Sequence, residues 1–140
     1  MRKKAPAVGA DTPIEGVADA ILKGGMGCVL VTSGEGIVGI VTERDIVRGM
    51  ALGASRSAGA TGRNIMSSPL IVVGPETPVE DALAIMAEKG IRRLPVVKGG
   101  GLLGLVTLED IVLAFAKQLE SLRSLADALA KQTKESMWYA

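Results

Sequence analysis

The twelve residues from Gly36 to Val47 (Gly-Ile-Val-Gly-Ile-Val-Thr-Glu-Arg-Asp-Ile-Val) return sixty-five positions later, from Gly101 to Val112, as Gly-Leu-Leu-Gly-Leu-Val-Thr-Leu-Glu-Asp-Ile-Val. Seven of the twelve are identical. The same offset aligns Thr12-Pro13-Ile14-Glu15 with Thr77-Pro78-Val79-Glu80, Gly25 with Gly90 and Val31 with Val96, without a gap. A period this long belongs to a duplicated supersecondary unit, since solenoid repeats are shorter and usually number three or more. Each copy, at roughly 55 to 60 residues, is marginal alone, so the two are expected to bury their apolar faces against each other as one domain.

Within the first copy, Ile14, Val17, Ala18, Ile21 and Leu22 fall at helical spacing, with Pro13 suited to the first turn and Gly24-Gly25 to the stop. Cys28 to Thr32 and Ile37 to Val41 are short apolar runs around a Ser-Gly-Glu-Gly turn, the pattern of a hairpin. Helical spacing returns after Thr42, and a short strand is expected near Ala7-Val8. Residues 53–63 are small and polar without periodicity and read as a flexible linker. The second copy predicts a strand from Leu70 to Val73, a helix from Pro78 to Lys89, strands at Leu94–Val97 and Leu102–Val106, and a helix opening at Leu108. Each unit is therefore strand, helix, strand, strand, helix, an α+β class. The expected division is residues 1–61 for the first repeat with its basic start and linker, 62–116 for the second, and 117–140 for a C-terminal helical extension.

That extension carries Phe115, Leu119, Leu122, Ala126 and Leu129 in alternating steps of four and three, a heptad-like stripe. It either packs back on its own subunit or zips to a second chain, and a dimer contact is favoured. Trp138 and Tyr139 are large apolar groups with no partner legible in the sequence.

Several function classes recede on composition. Sixteen basic against fifteen acidic residues leave a net charge of +1, and aromatics make up 2%, so neither the charge excess nor the stacking platform of a nucleic-acid binder is present. No apolar run reaches the roughly 18 residues of a membrane span, and Met1-Arg2-Lys3-Lys4 leads into no apolar signal core, so a cytoplasmic setting is expected. Cys28 is the single cysteine and histidine is absent, which removes disulfides, the commonest general base and the commonest metal ligand. Neither an enzyme nor a metal site is expected.

Thr12-Pro13 and Thr77-Pro78, then Arg92-Arg93-Leu94-Pro95-Val96-Val97, then the twice-written Gly-x-x-Gly-x-Val-Thr-x-x-Asp-Ile-Val, together resemble the cystathionine β-synthase (CBS) domain family. The resemblance spans about residues 5 to 116. It implies tandem β-α-β-β-α repeats packed through their sheets with pseudo-two-fold symmetry, and two such pairs commonly forming a flat, disk-like homodimer. It also implies a regulatory ligand, AMP, ADP or ATP, with S-adenosylmethionine possible, bound in a cleft between repeats, and no catalytic cofactor.

Thr42-x-x-Asp45 and Thr107-x-x-Asp110 each stand where a strand becomes a helix. A carboxylate there can accept two hydrogen bonds from a ribose diol, while the hydroxyl and the helix-start amides face a phosphate. The same spacing is a capping box needing no ligand, and both readings stand on spacing alone. Carried over by position, the resemblance joins Thr42 and Asp45 to Ser67, Ile71, Val72, Ile91, Arg92, Arg93 and Pro95. The Val72 backbone would read the adenine edge, and one arginine would hold phosphate through its planar fork. Neighbouring residues on a strand point to opposite faces, so one of the two arginines is expected in the cleft. The second site, at Thr107 and Asp110, has Gly27-Cys28 where the first has arginines, and is expected to bind phosphate about tenfold or more weakly; Lys3 or Lys4 could partly substitute. AMP, with about 23 heavy atoms at about −0.3 kcal/mol each, points to a dissociation constant near ten micromolar.

The leading reading is a regulatory module that senses an adenine nucleotide between its repeats and signals through dimer or tail geometry. The alternative is a ligand-free dimerisation scaffold that binds a partner protein through its C-terminal helix.

Overall fold

The computed structural model of the chain describes residues 5–34, 36–51, 53, 59–68 and 70–139, with side chains as far as residue 132. Lys3 and Lys4, residues 54–58 of the expected linker and the side chains of Trp138 and Tyr139 lie outside the described residues. In chain order the elements are β1 (Ala7–Gly9), α1 (Ile14–Gly24), β2 (Cys28–Ser33), β3 (Gly36–Thr42), α2 (Glu43–Ala51), α3 (Gly62–Ile65), α4 (Val79–Lys89), β4 (Arg93–Lys98), β5 (Gly101–Thr107) and α5 (Leu108–Tyr139).

The duplication is repeated in the backbone. β1 runs parallel to β2 with Val8 opposite Val31, and sixty-five residues on Val73 bridges to Val96, also in parallel. β2–β3 and β4–β5 are antiparallel hairpins whose registers slip at the same place, between Val31 and Thr32 and between Val96 and Val97. α1 and α4 each follow a proline and end on a left-handed glycine, Gly25 at φ 66° and Gly90 at φ 64°. A residue without Cβ closes such an end without steric penalty.

α1 buries Ile14, Val17 and Ile21, as its period requires, and Val17 and Ile21 share a core with Val29, Val31 and Val41. α4 packs Ala82 and Met86 into the matching core with Leu94, Val96 and Ile111. The alternate residues of the strands are buried as well. Cys28, Leu30, Pro95 and Leu105 are less than 2% exposed yet belong to neither helix-side cluster. Because successive strand residues point to opposite faces, these four line the face of each sheet away from its helices, where the two repeats meet. The molecule is α+β, two repeats apposed through their sheets, with a long helix continuing from the second.

Two expectations are corrected. The strand from Leu70 to Val73 shrinks to a single bridge, held by Val73 N–H donating to Pro95 O (3.0 Å) and Val97 N–H to Val73 O (2.9 Å). The end of the linker is not irregular: α3, residues 62–65, is closed by a reciprocal capping box between Thr61 and Asn64, and Ile65 and Met66 pack against the first core. Ser67 then pairs with Ile40 on β3. The chain therefore stays bound to the first repeat until it crosses into the second, where Val73 alone makes the bridge.

Candidate ligand-binding cleft

Where the repeats part at one edge they leave a cleft of about 730 Å³ lined from both sides. The first repeat supplies Gly27, Ile40, Thr42, Glu43, Arg44, Asp45 and Arg48; the crossing segment supplies Ser67, Leu70 and Ile71; and the second repeat supplies Lys89 through Arg93 and Pro95.

Thr42 is the last residue of β3 and the cap of α2. Its hydroxyl accepts from Asp45 N–H at 3.3 Å and donates to Asp45 Oδ2 at 3.1 Å, while Thr42 N–H donates to the same oxygen at 2.9 Å. The capping box is thus present. It engages both the Thr42 hydrogen and Asp45 Oδ2, and leaves Oδ1 to face Arg48 Nη1 at 3.9 Å. Asp45 is 7% exposed on the cleft wall. Two of the helix-start amides expected to face a phosphate are already engaged: Glu43 N–H donates to Gly27 O at 3.2 Å, and Asp45 N–H to the Thr42 hydroxyl at 3.3 Å.

Eight of the nine residues assigned to this site come together: Thr42, Asp45, Ser67, Ile71, Ile91, Arg92, Arg93 and Pro95 all line the cleft. Val72 does not, and is 44% exposed. In an extended segment alternate side chains oppose, and the bridge fixes Val73 inward with Ile71 on its side, so the Val72 side chain turns away; the role expected of Val72 was for its backbone. Both arginines line the cleft, against the expectation of one, because Arg92 is a bend residue and strand alternation begins only at Arg93. Arg93 also ties the repeats together: its Nε donates to Met26 O at 3.2 Å, and its guanidinium rests on Gly27, where a Cβ would come within 2.7 Å of Nη2.

Thr107 and Asp110 do not reach this cleft. They form the equivalent cap on α5, Asp110 N–H donating to Thr107 Oγ1 at 3.1 Å and Thr107 N–H to Asp110 Oδ2 at 3.4 Å.

Sequence reasoning missed Arg44, Arg48 and Lys89. Arg48 was legible as the residue one helical turn after Asp45, but Lys89 is placed by the fold alone. With them the cleft holds Arg44, Arg48, Lys89, Arg92 and Arg93 against Glu43 and Asp45, a surplus of three positive charges. Among the described residues no group of three histidine, cysteine, aspartate or glutamate side chains is arranged to hold a metal, and no helix is long and apolar enough to cross a membrane.

A duplicated α+β unit with a charged cleft between its copies defines a tandem-repeat module. The CBS domain model matches residues 1–52 and 63–117, and the chain belongs to that family. It is 31% identical to the CBS domain-containing protein YhcV of Bacillus subtilis over 112 residues, 79% of each chain. The solved CBS domain pair of protein MJ0100, in complex with 5′-methylthioadenosine and S-adenosyl-L-methionine, superposes with a TM-score of 0.72 at 26% identity, covering 81% of this chain and 92% of that one. The hexameric CBS-CP12 protein from bloom-forming cyanobacteria superposes with a TM-score of 0.69 at 26% identity, covering 91% and 82%. The chain spans about half the length of several other curated relatives it matches.

Proposed function

We propose that the chain is a regulatory, non-catalytic module that binds an adenine nucleotide in the Asp45 cleft and works as a homodimer in the cytoplasm. The observation that carries this is the cleft itself, built from both repeats, with a buried carboxylate on one wall and three surplus positive charges around it. Asp45 Oδ1 retains acceptor capacity for ribose hydroxyls, while Arg92 and Lys89 supply phosphate partners. Adenosyl ligands in the MJ0100 domain pair support the base and sugar part of this reading. The charge balance separates the candidates: a sulfonium-bearing ligand such as S-adenosylmethionine meets repulsion, whereas each added phosphate gains attraction, giving the order ATP, ADP, AMP, S-adenosylmethionine. The hexameric relative supports self-association.

Isothermal titration of the four ligands tests the reading, with binding near ten micromolar expected for AMP. Absence of heat and of thermal shift with all four would remove it. The scaffold reading is favoured by one observation, that the hydrogen bonds of the Thr42–Asp45 cap by themselves account for the motif. In that case a partner protein would be held by α5.

A further inference from the structure

α5 is 32 residues long, about 48 Å, and its first turn packs Leu108 and Ile111 on the second core. From Val112 to Gln132 every residue is exposed, so the body of its own subunit does not cover the stripe seen in the sequence. Val112, Phe115, Leu119, Leu122 and Leu125 are 56%, 42%, 66%, 60% and 56% exposed.

Three features identify what covers them. First, Val112, Phe115, Leu119, Leu122 and Ala126 step by three and four alternately. That 3.5-residue period is the seam of a helix supercoiled on another helix, narrower than the face a helix turns to a globular core. Second, the stripe is complementary to itself when reversed. Pairing two copies about a two-fold axis between Glu120 and Ser121 sets Leu119 against Leu122 of the second copy and Phe115, the bulkiest residue, against Ala126, the smallest. A parallel pair instead sets Phe115 on Phe115 and Ala126 on Ala126, crowding one layer and hollowing another. In the reversed pairing Arg123 flanks Ala116 and Gln118 flanks Leu125, so no like charges meet. Third, at about 60–120 Å² for each large side chain, five from each copy remove about 600–1,200 Å² of apolar surface before flanking stems are counted, the top of which meets the lower bound of a stable interface.

We propose that α5 pairs with α5 of a second copy of this chain as an antiparallel two-helix coil, with the two bodies at opposite ends. This rests on the homodimer reading but replaces the flat disk that the family resemblance implies, and it is independent of what fills the cleft.

The test uses the full chain. Sedimentation equilibrium is expected to show a wild-type dimer that Leu122→Glu weakens at least tenfold, with the melting temperature of the dissociated chain unchanged because Leu122 is exposed there. Spin labels on Glu120→Cys and Lys131→Cys, read by pulsed electron resonance, are expected about 15 Å and about 35 Å from their copies. Equal short distances at both sites would mean a parallel coil and overturn the proposal. A dimer indifferent to Leu122→Glu would overturn it while leaving dimerisation through another face, and a monomeric wild type would overturn both.

Discussion

At the residue scale, the cap that Asp45 forms and the ribose acceptor proposed for it can be separated by substitution. Asp45→Ala removes the cap and the proposed acceptor together, and is expected to lose about 1 kcal/mol of stability, roughly 2 to 4 °C in melting temperature, along with nucleotide binding. Asp45→Asn keeps an oxygen for Thr42 N–H but removes the charge, so binding should fall about tenfold or more while the melting temperature holds. Equal nucleotide affinity in all three proteins, measured by titration, would leave Asp45 a cap and nothing else. Gly27 offers a second contrast. Gly25 and Gly27 share a left-handed backbone, at φ 66° and φ 69°, but a Cβ on Gly25 meets open space whereas one on Gly27 meets the Arg93 guanidinium. Both alanine variants are expected to lose about 1 kcal/mol or more from the backbone alone. Gly27→Ala should lose more, and only it should disturb the cleft, as read by chemical denaturation and nucleotide titration side by side.

At the element scale, the copies depend on faces that periodicity identifies differently well. The helix-side faces of α1 and α4 were legible, because apolar spacing at 3.6 residues has one interpretation. The crossing segment was not. Leu70 to Val73 is as apolar as a strand, yet Ser67 is already bonded to Ile40, and only Val73 reaches β4. Neighbouring commitments overrode local propensity. The opposite faces of the sheets give a prediction: Leu30→Ala or Leu105→Ala, each removing a fully buried side chain between repeats, is expected to cost about 2 to 5 kcal/mol. Leu119→Ala, on the exposed part of α5, should stay within about 0.5 kcal/mol when the chain is monomeric. Urea titration at low protein concentration distinguishes the two classes.

At the scale of the whole molecule, the two repeats share one buried layer and one cleft, so heating is expected to give a single calorimetric transition rather than two. Two resolved transitions would mean that the repeats are independent. The surplus charge around the cleft makes a further prediction about conditions. Raising salt from about 0.05 to 0.5 M shortens the screening length from roughly 13 to 4 Å, so ATP binding should weaken more than AMP binding. Identical salt slopes in titration would place the phosphates away from the five basic residues.

What the residues alone determined is whatever depends on a short stretch of chain: the duplication, the helix ends at Gly25 and Gly90, the placing of both Thr-x-x-Asp motifs where a strand becomes a helix, and the unbroken stripe on the last helix. Spacing along the chain controls each of these directly. Tertiary structure decided what depends on residues far apart in sequence meeting in space. It set Lys89 and Arg93 beside Arg48, turned Val72 out of the cleft, and left the α5 stripe bare. Electrostatic surplus and exposure are sums over neighbours, and neighbours across a fold are set only when the sheets close on one another.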